Sequence, residues 1–90
     1  MKIISFVQGN NMTAYMAIFF THSGAIKFDR NAKRKNISCE LMPVPRKLSS
    51  NCGIGAKFFY DGNFEDLIDE EIEKIFKINE QEHILVYEED

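Results

Sequence analysis

Tyr15-Met16-Ala17-Ile18-Phe19-Phe20, followed at once by Thr21-His22-Ser23-Gly24, sets an unbroken apolar run against a cluster of small polar residues. A short apolar run without alternation is the pattern of a central strand covered on at least one face. The polar cluster supplies capping chemistry for a helix over about Ala25 to Lys35, with Ala25, Phe28 and Ala32 on one side. Asn36 is a left-handed stop, because Asn tolerates positive φ better than other non-glycine residues.

Further along, Ile37-Ser38-Cys39-Glu40-Leu41-Met42 alternates, which puts Ile37, Cys39 and Leu41 on one face of a second strand that Pro43 and Pro45 end. Ala56-Lys57-Phe58-Phe59-Tyr60 reads as a third strand. Asp61-Gly62-Asn63 is a turn that caps a second helix, predicted over about Phe64 to Ile78 from the stripe Phe64, Leu67, Ile68, Ile72, Ile75 and Phe76. Glu65, Asp66, Asp69 and Glu70 suit the positive end of its dipole. Glu82-His83-Ile84-Leu85-Val86-Tyr87 is the fourth strand.

This order predicts an α+β, ferredoxin-like split β-α-β sandwich. Its sheet has four antiparallel strands in the order 4-1-3-2, with two helices on one face and right-handed crossovers. The ends of strands one and two then meet the start of strand three, so His22, Arg46 and Cys52 share one edge of the sheet.

Ninety residues, 44% of them hydrophobic and 28% charged, suffice for one domain with one core. Residues 1–11 form an N-terminal extension and residues 12–90 the domain; Ile3 to Val7 is expected to extend a sheet edge, within the molecule or across a homodimer. No apolar stretch approaches the roughly 20 residues of a membrane-spanning helix, and the first residues lack the pattern of a secretory signal. The expected location is cytoplasmic, where Cys39 and Cys52 stay free thiols. Charge is lopsided: nine Lys/Arg against two acids through Tyr60, then twelve acids against two Lys. Such polarity bears on association and partner choice more than on fold.

The chemically loaded stretch is Pro43-Val44-Pro45-Arg46-Lys47-Leu48-Ser49-Ser50-Asn51-Cys52-Gly53. Small neighbours leave the Cys52 sulfur approachable and let the backbone turn tightly. Amides through Asn51, Cys52 and Gly53, the first helix N-terminus, Arg46 and Lys47 would favour a thiolate. The bland reading is a small buried residue in a Gly-rich turn. His22 could orient or deprotonate the sulfur, or serve only as a cap residue. Cys39, on an inward strand face, is core material. His83 carries no signal. Two Cys and two His form no zinc pattern, and Gly53-Ile54-Gly55 precedes a strand instead of opening a helix, so neither metal nor cofactor is expected. Lys57-Phe58-Phe59-Tyr60 only superficially matches the stacking strand of RNA-recognition domains. The flanking glycines are missing and the acidic half repels phosphate, so nucleic acid is not an expected partner.

Residues Tyr15 to Tyr60 resemble the selenium/sulfur carrier-like family of small bacterial domains, above all in Pro-x-Pro-Arg, Ser-Ser and Cys-Gly between two strands. The resemblance implies that Cys52 holds sulfur or selenium as a persulfide or selenopersulfide and passes it from a donor protein to an acceptor, without independent turnover. The chain departs from the usual pattern in residues 1–11 and in Asn36, where a glycine is common. On this reading Cys52, His22 and Arg46 carry the chemistry, and Pro45, Ser49, Ser50, Asn51 and Gly53 are the binding residues of the loop. The rival reading is an anion- or metabolite-binding regulatory module using residues 43–55, with Cys52 incidental. A third is a protein-interaction domain using the polarised surface.

Overall fold

The computed structural model describes residues 12–48 and 52–89. Five strands, β1 (Thr13–Phe19), β2 (Cys39–Pro43), β3 (Ile54–Tyr60), β4 (Ile72–Asn79) and β5 (Glu82–Glu88), form one sheet in the order β2-β3-β1-β4-β5. Every neighbouring pair is antiparallel. One helix, α1 (His22–Arg34), covers one side together with a 3-10 turn at Phe64–Leu67. The general ferredoxin-like α+β arrangement stands, with one helix and five strands among the described residues in place of two and four.

The start of the chain follows its local chemistry. Thr21 is extended and its Oγ1 accepts from the Gly24 amide at 3.0 Å, satisfying a donor that the first helical turn leaves free. Asn36 turns the chain with φ 62°, and Ile37 comes back to donate to the Ala32 carbonyl at 2.9 Å. The helix buries Ala25, Phe28 and Ala32. They meet Tyr15, Ala17 and Phe19 of β1, Ala56 and Phe58 of β3, and Ile72 and Ile75 of β4. Phe58 stacks on Tyr15 at 5.2 Å and packs at a tilt against Phe28 at 5.3 Å. Cys39 and Leu41 lie partly buried against this same core, on the predicted face of β2.

The second helix predicted over Phe64–Ile78 does not form. Asn63 caps only the 3-10 turn, accepting from the Glu65 amide at 3.0 Å, and the chain is extended again at Ile68. Ile72–Asn79 takes the place beside β1 that the expected order gave to Glu82–Tyr87, and the latter becomes the outer strand β5. The helical spacing of Ile72, Ile75 and Phe76 has a strand explanation. Ile18 pairs with Lys74 but Phe19 with Ile72, so Glu73 is an extra residue at a bulge. That shift brings Ile72 and Ile75, three apart, onto the helix side. Phe76 faces the other way, beneath Met16 and Ile18. Both sides of the sheet are apolar here, so the residues do not alternate. Three β-branched isoleucines suit a pleated strand better than a helix. The hairpin to β5 turns at Glu80 with φ 60°, a left-handed position usually given to Gly or Asn.

The side opposite α1 has its own cover. Val44 and Leu48, from the segment after β2, pack with Met42 and Ile78 onto Met16, Ile18 and Phe76. Gly55 makes this possible: a Cβ there would stand 2.8 Å from Val44 Cγ1, 2.9 Å from the Ala17 carbonyl oxygen and 3.0 Å from Met16 Sδ. Gly55→Ala is expected to cost about 1–3 kcal/mol, the usual range for overpacking, because the carbonyl cannot move aside. Urea unfolding measures it; a midpoint equal to wild type would show that the segment does not sit this close.

Residues 1–11, including the expected edge strand Ile3 to Val7, lie outside the described residues. Among those described, no helix is long and apolar enough to cross a membrane.

Candidate functional site

The loop between β2 and β3 starts and returns at one end of the sheet. Val44 donates to the Gly53 carbonyl at 2.9 Å, extending the β2–β3 pairing by one rung past Pro43 and Ile54. A turn follows, closed by the Leu48 amide donating to the Pro45 carbonyl at 2.9 Å. Leu48 is drawn beneath the sheet by the Met16 and Phe76 cluster, and with Lys47 it lines a groove against Gln81, Glu82, His83 and Ile84 at the β4–β5 hairpin. The first part of the loop is therefore anchored to the underside of the sheet through Val44 and Leu48, with Pro45, Arg46 and Lys47 exposed between them. Val44 and Leu48, its anchors, were visible in the sequence as apolar residues in a polar loop, yet the expectation of a displayed loop gave them no role.

Cys52 stands where this loop rejoins β3, and the expectation of an accessible sulfur is overturned: the residue is 5% exposed. Its thiol donates to the Ile54 carbonyl at 3.6 Å. Gly53 is exposed and nothing stands within 4 Å of where its Cβ would be, so it has ordinary space. Ser49, Ser50 and Asn51 lie outside the described residues.

The topology brings the C-terminal ends of β1 and β2 and the start of β3 together, as expected. His22 opens α1 just after β1, and Pro45 and Arg46 follow β2, so all three stand at the Cys52 end of the sheet; each is exposed. The N-terminus of α1 is not an open anion site. A Cβ on Gly24 would lie 2.7 Å from Glu71 Oε1 and 2.8 Å from Glu71 Cβ, so the Glu71 side chain is laid against the first turn of the helix. The Glu71 carbonyl accepts from the Phe20 amide at 3.1 Å and its own amide donates to Asp69 Oδ1 at 2.9 Å, which hold it there. A carboxylate at this end is favoured by the helix dipole, and it opposes a second anion nearby. Sequence reasoning missed Glu71 because it was assigned to the interior of a second helix.

Cys39 has a different environment. Burial pushes its thiol up to about 12, aided by the neighbouring Asp29 carboxylate, which accepts a hydrogen bond from the protonated thiol and whose charge resists a thiolate. Asp29 Oδ1 is buried without a partner at good hydrogen-bonding geometry, so the thiol contact is loose and burial is the larger effect. Asp29 Oδ2 accepts from Lys33 Nζ at 2.9 Å. Among the described residues, no three of His, Cys, Asp and Glu gather as metal ligands.

Residues 14–87 match the model of the family described as "Putative Se/S carrier protein-like". The chain belongs to this family. The match spans β1 through nearly all of β5 and includes the Cys52 loop. No curated protein matches the chain, and no solved structure does.

Proposed function

We propose that this family member is a sulfur or selenium carrier in which Cys52 is the bearing residue, sheltered until a partner engages the loop. The observation that carries this reading is the contrast between the chain's two cysteines. Cys39 is held protonated by burial and by Asp29, which disqualifies it as a nucleophile and leaves Cys52, in the family's loop, for the work. The Cys52 thiolate attacks the outer sulfur of a donor persulfide. A bond forms between the two sulfurs as the donor's own S–S bond breaks, and the donor cysteine leaves as a thiolate. The carried sulfur passes to an acceptor thiolate by the same exchange, so no oxidant or reductant is consumed. His22 and Arg46, exposed at that end of the sheet, would meet the partner and favour the thiolate once the loop opens; Pro45, Ser49, Ser50, Asn51 and Gly53 would shape it. The partners are a donor and an acceptor protein, and the chain has no turnover of its own.

The burial of Cys52 favours the other reading, a module in which residues 43–55 receive an anion or metabolite and the cysteine is incidental. Intact-mass measurement after incubation with a cysteine desulfurase and cysteine separates the two. The carrier gains one sulfur atom, as does Cys39→Ser, while Cys52→Ser gains none. Wild-type protein that stays at its starting mass belongs to the ligand-binding reading.

A further inference from the structure

With one helix in place of two, α1 leaves part of the sheet to the 3-10 turn and the chain that follows it. Between them lies a cavity of about 250 Å³. Its floor is apolar, built from Phe28, Ala32, Ile37, Leu67 and Ile68. Lys35 lines it from the α1 side, Asp66 and Asp69 from the other. Lys35 and Asp66 are exposed, so the charges stand at the mouth and the apolar surface below. Neither aspartate is ion-paired with Lys35, although all three line the same small space. Asp69 uses Oδ1 for the Glu71 amide. The cavity adjoins the C-terminal half of α1, whereas Cys52 stands at the end where α1 begins.

From this arrangement we infer a second site, separate from the Cys52 loop, for an α-amino acid with an apolar side chain. The side chain enters over Phe28 and Ile37, the carboxylate meets Lys35, and the ammonium meets Asp66 and Asp69. The volume lies below the roughly 300–1,000 Å³ of pockets for drug-sized ligands, which limits the occupant to a molecule of this size. A plain anion would meet two carboxylates and a plain cation would meet Lys35; only a molecule bearing both charges satisfies both walls. Exposed charges and few atoms make the affinity weak, on the order of millimolar.

Amide chemical shifts of the full chain, followed during titration with L-leucine, test the proposal. Saturable shifts at Phe28, Ile37, Leu67 and Ile68 are expected. N-acetyl-L-leucine, which lacks the cation, and L-leucinamide, which lacks the anion, should each bind at least about fivefold more weakly, as should leucine to Lys35→Gln and Asp66→Asn. The amide dispersion of each variant reports its fold in the same spectrum. Absence of saturable shifts at these residues, equal binding of the three ligands, or unchanged binding by both variants would overturn the site. Because the cavity does not involve Cys52, these results are independent of whether sulfur is carried.

Discussion

Replacing Phe58 with Ala is expected to remove about 3–5 kcal/mol of folding stability, the usual cost of deleting a fully buried aromatic side chain. Phe58 is 0% exposed and is the ring on which the helix-side core converges, meeting Tyr15 of β1 and Phe28 of α1. Tyr15 in turn reaches Phe64 in the 3-10 turn, at 5.5 Å. Removing the central ring therefore loosens β1, β3, α1 and the crossover together. Since domains of this kind are stable by only about 5–15 kcal/mol in total, the variant loses a large share of its folding stability. Phe59, its neighbour in sequence, points to the other side and is 38% exposed, with Lys57 Nζ 5.7 Å from its ring centre. Phe59→Ala should cost far less, under about 1 kcal/mol. Urea unfolding of both variants reads the difference, and equal losses would contradict the assignment of the two faces.

The second large effect is chemical. At pH 8 a thiol titrating near 12 is ionised to about one part in ten thousand, against roughly a quarter for an ordinary cysteine. The rarer thiolate is intrinsically more nucleophilic, which recovers part of the deficit. Alkylation of Cys39 in the folded protein is thus expected to run roughly fiftyfold slower than that of a free cysteine at the same pH. Asp29→Asn should speed it by removing the carboxylate, without restoring an ordinary rate, because burial is the first cause of the shift. The sign of the linked stability follows. Cys39 is neutral in both states well below the ordinary thiol value, and as the pH rises through that value the unfolded chain ionises first. The protein therefore loses stability between about pH 9 and the folded value near 12. A Cys39→Ser variant should lack this part of the alkaline loss. Rapid labelling of Cys39 at pH 8, in a chain shown folded by its spectrum, would contradict the account of this site.

Much of the fold was legible where local signals agreed. The β1 run, the Thr21 cap, the left-handed Asn36 and the inward face of β2 all follow from residue chemistry within a few positions. The order β2-β3-β1 also follows from short connections and the sequence of elements, whereas the place on the other side of β1 went to Ile72–Asn79 and not to Glu82–Tyr87. The second helix failed for a specific reason. A bulge at Glu73 and an apolar underside made Ile72, Ile75 and Phe76 imitate a helical stripe, and pairing with β1 and β5 outweighed that period. The hairpin at Glu80 was hidden because an acidic residue occupies a position where Gly or Asn would have announced it. At the candidate site, the shared end of the sheet could be read from topology, but the depth of Cys52 could not. The packing of Val44 and Leu48 onto the underside of the sheet is likewise a long-range effect that no local window contains.

The claim that sulfur is carried on Cys52 is tested most directly by mapping. The wild-type chain is incubated with a cysteine desulfurase and cysteine, alkylated without reduction so that any persulfide is capped, then digested and sequenced by mass spectrometry. The account predicts an alkylated persulfide on the peptide containing Cys52 and an unmodified sulfur at Cys39. An added sulfur found on Cys39, or a Cys52 that takes up neither sulfur nor alkylating agent until the protein is unfolded, would contradict it.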